Sequence, residues 1–414
     1  MSDSTFDAVI VGGGLSGGLA ALALYKARPD FRLAVIEAGK TLGGNHRWSW
    51  FDSDLDDRGR ALLEPIRKTA WTKGYDVSFP NLKRTLHTGY TSMASGDFHE
   101  GICRVLPSEA LLLGRKATDI KASGVTLDDG TRLNARLVID CRNFQPSPHL
   151  RGGWQVFMGR HMRLNEPHGA EHPVIMDADV EQLAPHGNGG AYRFVYVLPL
   201  SERDVFVEDT YYADDPKLDR TALEGRIDQY CHDKGWMEGV PVAHETGVLP
   251  VLTGGDFDAY QREVRLPGVV AIGARAGFIH PLTSYTMPIA MENALALADK
   301  ADLPAAQVVA LFEARARRHW NNTAYYRLLT RFLFFAADPE RRYVVLQRFY
   351  GLGQGLIERF YAARSPLRDR ARVLWGKPPV SIPRAIKAMF QPGKPLRKPR
   401  NSDSPAASST ENTA

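Results

Sequence analysis

The chain has 414 residues, 44% hydrophobic and 24% charged, with a formal net charge of +5. That length and apolar content suit two or three domains sharing a core and exclude a disordered protein. Cys103, Cys141 and Cys231 are an odd count at unrelated spacings, which suits a reducing compartment and excludes a disulfide framework, and no metal-ligand spacing occurs.

The first element is an uncharged run from Ala8 to Tyr25. No basic residue precedes it and five glycines interrupt it, so it is neither a signal peptide nor a membrane span. It reads instead as a strand, Ala8 to Val11, a glycine turn and a helix that begins near Leu15, followed by a second strand ending in Glu37. Gly12, Gly14 and Gly17 stand in the G-x-G-x-x-G pattern, with Glu37 20 residues beyond Gly17. Gly12 permits the tight turn, Gly14 the approach of a pyrophosphate to the helix N-terminus, and Gly17 the packing of helix on strand. Glu37 is placed for the adenosine ribose. This pattern suits NAD or FAD. The following segment, "GKTLGGNHRWSWF", adds a second close-approach turn at Gly43 and Gly44, with His46 beside it, and this favours FAD.

Farther on, Asp129-Gly130 marks a hairpin turn and Leu137 to Asp140 a buried strand. Residues 151–261 read as a strand-rich domain, with alternation at Trp154 to Met158 and Arg193 to Leu198. Within it, "VFVEDTYY" from Val205 places two carboxylates in an apolar strand. Successive side chains of a strand face opposite ways, so Phe206, Glu208 and Thr210 share one face while Val205, Val207 and Asp209 share the other. Taken alone, this stretch suits a salt-bridged edge strand as well as an acid site. From Leu266 another strand, a turn at Gly273 to Gly277 and an alanine-rich helix return to the dinucleotide domain, with Gly273, Ala274 and Gly277 as further cofactor contacts. The expected architecture is therefore α/β. A Rossmann-type FAD-binding domain spans 1–150 and 262–302, the inserted domain 151–261 lies between, and a helical region covers 303–390.

In that last region Tyr325, Leu328, Leu329, Phe332, Leu333 and Ala336 form one apolar helical stripe, with Arg327 and Arg331 off it. Residues 315–400 hold 20 Lys and Arg against 4 Asp and Glu. Basic residues interleaved with aromatics on helices, without a nucleic-acid motif, point to an anionic membrane surface. The segment 391–414 is rich in Pro, Ser and Ala and is expected to be disordered.

Several stretches together resemble the bacterial lycopene β-cyclases. They are "DAVIVGGGLSGGLAALAL", "GGNHRWSW", "PVIMDADV", "YRFVYVLPLSERDVFVEDTYY", "GARAGFIHPLTSYTMP" and "VLQRFYGLGQGLIERFYAARSPLRDRARVLWGKPPV". The chain departs from the family at Cys141, where glycine is usual, and at Leu282 and Ser284, where threonine and glycine are more common. The resemblance implies a redox-neutral, acid-catalysed isomerisation of lycopene and other acyclic carotenoids, using reduced FAD with NAD(P)H as reductant. It implies Glu208 as the acid, within the Glu208-Asp209 segment, and His280 as a group for the final proton removal. Trp48, Tyr196 and Tyr285, together with Trp50, Tyr192 and Phe194, become candidates to steady a passing cation. A cytoplasmic protein held peripherally at the inner membrane follows, because the substrate resides in the bilayer. An FAD-dependent monooxygenase or prenyl-chain reductase, and a lipid carrier, share the scaffold and remain alternatives.

Overall fold

The computed structural model describes residues 5–184, 190–236 and 238–397. Its first sheet runs in the order Leu111–Leu113, Leu33–Glu37, Phe6–Val11, Arg132–Asp140, Gly124–Leu127 and Ala117–Lys121. Val270–Ala271 joins beside Arg132–Asp140, so this later segment is part of the same sheet. The pairs around Phe6–Val11 are parallel. The helix Leu15–Ala27 is buried along most of its length and packs in one core with Met287–Ala298. A helix apolar all round belongs in an interior, which explains the uncharged run.

The second sheet is ordered Gly239–Gly255, Leu150–Leu164, Asp204–Ala213, Arg193–Pro199, Val174–Asp177, Tyr75–Phe79 and Leu82–Leu86. The hairpin Tyr75–Leu86 pairs with Val174–Asp177, so a strand pair from the first 150 residues completes the inserted domain. A three-stranded sheet of Arg47–Phe51, Tyr90–Ala94 and Thr69–Trp71 bridges the two.

Beyond residue 303 the chain is helical. The apolar stripe is wider than its spacing implies. Tyr326 and Thr330 are fully buried, and Arg327, expected off the stripe, is 8% exposed and lies 3.8 Å over the Trp320 ring. A π-helical turn at Phe332–Ala336 then shifts the phase of the face after Arg331. The expected tail also begins later than 391. Lys394–Pro395 pairs with Arg151 and Gly152, and Leu396 is buried, while residues 398–414 lie outside the described residues.

Candidate active site

The strand Asp204–Ala213 is central in the second sheet, flanked by Leu150–Leu164 and Arg193–Pro199. As its alternation requires, Phe206 and Glu208 line a cavity of about 180 Å³. An adjoining cavity of about 130 Å³ shares Tyr90, Gln155, Tyr196, Glu208, Thr283 and Tyr285 with it. Aromatic side chains contribute much of the walls, and Glu208 is half-buried among them. Burial pushes its pKa up to about 7, against the Thr210 hydroxyl, which donates to Glu208 Oε1 at 2.7 Å. A carboxyl that keeps part of its protons at neutral pH can serve as a proton donor to a substrate with no polar handle.

Asp209 does not share this chamber. It is fully buried on the opposite face, accepts from Arg193 Nε at 2.7 Å and faces Arg226 at 3.9 Å. Its placement among the catalytic residues is corrected: the strand phase turns it into an ion pair that ties Arg193–Pro199 to the helix Arg220–Asp233. His280 is corrected as well. Its Nε2 lies 3.1 Å from the Phe360 carbonyl and its Nδ1 accepts from the Leu282 and Thr283 amides. Burial holds it neutral, with its pKa pushed down to about 3. Both nitrogens are committed, so it pins the turn 280–285 to the helix Gln354–Tyr361 instead of removing a proton.

Among the expected aromatics, Trp48, Phe194, Tyr196 and Tyr285 line the two cavities. Trp50 and Tyr192 are packed into cores instead. Sequence reading missed Tyr90, Phe51, Phe157 and Tyr361, which come from distant segments, and it missed Arg47 and Glu245. A phase count along "HETGVLP" could have marked Glu245, since Glu245, Gly247 and Leu249 share one face of that strand. His46 also belongs to this cavity, 3.9 Å from Glu245, and burial pushes its pKa down to about 4.

The dinucleotide end lies at the carboxyl ends of the parallel strands. A cavity of about 260 Å³ there is lined by Gly12, Gly14, Glu37, Cys141 and Arg142 among others. Gly12 has φ +100°, and a Cβ on it would lie 2.9 Å from the Cys141 carbonyl, so only glycine fits. A Cβ on Gly17 would sit 1.9 Å from the Gly12 oxygen. A Cβ on Gly14 would meet nothing within 4 Å, which leaves open the space that a pyrophosphate needs at the helix start. Glu37 accepts from the Gly13 and Gly39 amides, both at 2.7 Å, and so shapes the turn as well as facing the cavity. Gly43 and Gly44 have positive φ, and the turn Gly273–Gly277 approaches Ser16. Ala274 begins the short 3₁₀ turn between those glycines. Ser284 takes φ 54°, and its hydroxyl donates to the Pro250 carbonyl. These residues fit the adenine dinucleotide arm of FAD.

Among solved structures, the chain is similar to a geranylgeranyl bacteriochlorophyll reductase-like protein from Thermoplasma acidophilum, with TM-score 0.58 and 15% identity over 93% of this chain and 98% of that one. It is also similar to a variant of 2-methyl-3-hydroxypyridine-5-carboxylic acid oxygenase, with TM-score 0.54 and 16% identity over 88% and 98% of the two chains. These likenesses show the fold, which the chain shares with a reductase-like protein and an oxygenase. The lycopene beta-cyclase of Pseudescherichia vulneris is 42% identical over 92% of this chain and 96% of its own length. That of Pantoea ananas is 37% identical over 93% and 98%. Residues 7–387 match the family described as lycopene cyclase protein, and with these relatives the match shows that the chain belongs to the lycopene cyclase family.

Proposed function

We propose that this chain closes the acyclic ends of lycopene into β-ionone rings by acid-catalysed isomerisation, with Glu208 as the proton donor. The observation that carries the assignment is a carboxyl lining an aromatic-walled cavity, where burial holds its proton to about pH 7. The proton adds to a terminal carbon–carbon double bond, and the tertiary cation so formed is attacked by an internal double bond. Loss of a second proton leaves the ring, with no net change of electrons. Tyr90, Tyr196, Phe206 and Tyr285 line the chamber where the cation forms. Each well-placed ring face contributes roughly 0.5 to 2 kcal/mol. Gly12, Gly14, Gly17, Glu37, Gly43, Gly44 and the Gly273–Gly277 turn would hold FAD, which in its reduced form, made with NAD(P)H, would supply a fixed negative charge.

The substrate reaches the site from a membrane surface. Among the described residues no helix is long and apolar enough to cross a bilayer. Instead the helices Leu367–Leu374 and Ile382–Phe390 and the segment joining them expose Leu367, Trp375, Ile382, Ile386 and Phe390 to solvent. Arg368, Arg372, Lys377 and Lys387 lie among them. Aromatics for the interface and cations for anionic headgroups suit peripheral binding at the inner membrane. Behind these helices an apolar cavity of about 210 Å³ reaches Leu282, whose neighbour Thr283 lines the acid chamber.

Purified protein incubated anaerobically with lycopene liposomes, FAD and NAD(P)H tests the reading. Cyclised product in large excess over NAD(P)H oxidised is expected. A one-to-one ratio would support a reductase or monooxygenase instead.

A further inference from the structure

A second carboxyl reaches the acid chamber from two strands away. Gly159, on Leu150–Leu164, is the direct cross-strand neighbour of Glu208 on one side and of Glu245 on the other. Directly paired positions project on one face of a sheet, so the two glutamates flank a residue without a side chain. A Cβ at Gly159 would lie 2.2 Å from Phe206 Cζ and 3.1 Å from Glu245 Cγ, so the glycine leaves room for the Phe206 ring and the Glu245 side chain to lean over it. Both carboxyl groups line the cavity of about 180 Å³.

We propose that Glu208 and Glu245 act as one acid, a carboxyl pair sharing a single proton at neutral pH, in which Glu245 is the positioning residue that keeps that proton available to Glu208. The proposal rests on the assignment of Glu208 as the donor. Two carboxyl groups that flank one cross-strand glycine in a desolvated site do not both ionise readily: burial raises both, Glu208 pushes Glu245 well up while Glu245 draws Glu208 down, and the two titrate as a pair.

The surrounding charges agree with one proton. From Arg47–Phe51, the Arg47 guanidinium faces both carboxyl groups and donates to the Ser92 hydroxyl at 3.2 Å. It balances one negative charge, and its other acidic neighbour, Asp97, is engaged by Arg67 at 2.5 Å. His46 beside Glu245 stays neutral. Tyr196, paired with Glu208 from Arg193–Pro199, has its phenol pushed well up by burial and is neutral too. Thr210 donates to Glu208, and Asp209 acts only from the far face of its own strand, already paired with Arg193. When the pair gives up its proton, one O–H bond breaks and one C–H bond forms on the substrate. Two adjacent carboxylates then face the cation until the proton lost at ring closure restores the balance, with no oxidant or reductant consumed.

The test uses Glu245→Gln and Glu208→Gln as flavin-loaded full-length proteins. The readouts are turnover against pH and titration of the protonated-carboxyl infrared band without substrate. In Glu245→Gln the second carboxyl of the pair is gone and Glu208 titrates singly, so its band and the alkaline limb of turnover should both move at least one unit toward acid. Turnover at neutral pH then falls tenfold or more, and Glu245→Asp recovers part of both. In Glu208→Gln turnover is lost, and the remaining Glu245 band also moves toward acid. If the bands and the limb stay put, Glu245 has only a packing role and the pair is overturned. Should Glu245→Gln fail to hold flavin, the Glu208→Gln band decides the same point. Parental turnover in Glu208→Gln overturns the donor assignment itself, whatever the bands do.

Discussion

Glu208 and Asp209 are chemically similar neighbours with opposite surroundings, and that difference sets opposite mutational outcomes. Folding raises the Glu208 pKa from 4.5 to about 7, so the folded state keeps a proton that the unfolded chain has released. By linkage, stability falls as pH rises through that window and stays lowered above it. Glu208→Gln removes the penalty. At roughly 1.4 kcal/mol per unit, the variant should gain up to roughly 3 kcal/mol over the parent at pH 8 and little at pH 4. Urea denaturation at the two pH values checks this, and the same variant should lose a factor of about 10² to 10⁴ in cyclisation. Asp209→Asn should do the reverse. It leaves Arg193 buried without its carboxylate, which costs about 3 to 5 kcal/mol of stability in the same denaturation experiment, while turnover of the folded fraction stays within tenfold of the parent.

At the level of single elements, the junction of strand and helix at Gly12 to Gly17 separates glycines needed by the fold from a glycine needed by the ligand. Gly12 and Gly17 are enclosed by backbone, whereas Gly14 faces open space. Gly14→Val should therefore fold with a near-parental denaturation midpoint yet retain less than about a tenth of the flavin, because its side chain occupies the phosphate cradle. Flavin absorbance per protein after purification measures it. Gly17→Val, by contrast, would drive the helix off its strand and unfold the domain.

For the molecule as a whole, the C-terminal basic excess has two uses. Arg327, Arg331, Arg342 and Arg348 donate to backbone carbonyls, and Arg359 and Arg384 pair with Asp369 and Asp338, so much of the charge holds the helices together. Deleting the region would strip Tyr326, Leu333, Tyr350 and Phe360 from a core shared with Phe206 and Tyr212, and so would unfold the active site. Surface substitutions give the cleaner test. Trp375 is 77% exposed and Phe390 80%. Trp375→Glu with Phe390→Glu should leave the denaturation midpoint unchanged and lower sedimentation with anionic liposomes at least tenfold, since each change removes an interfacial aromatic and adds repulsion from headgroups. Undiminished binding would move the membrane contact elsewhere.

Local pattern was sufficient for the dinucleotide turn, because strand, glycine turn, helix and acid follow one another within about 30 residues. It was sufficient also for the faces of Glu208 and Asp209, since alternation in a strand is a property of the backbone. The partners of those faces were not legible. Gly159 and Glu245 reach Glu208 through pairing across strands about 40 residues away in sequence, and the hairpin Tyr75–Leu86 joins their sheet from a different part of the chain. His280 looks reactive in sequence and is inert in place, because its hydrogen bonds run to a helix 80 residues later. A carboxyl becomes an acid at neutral pH only when enough surface closes around it, and that closure is a sum over contacts that no short stretch of chain contains.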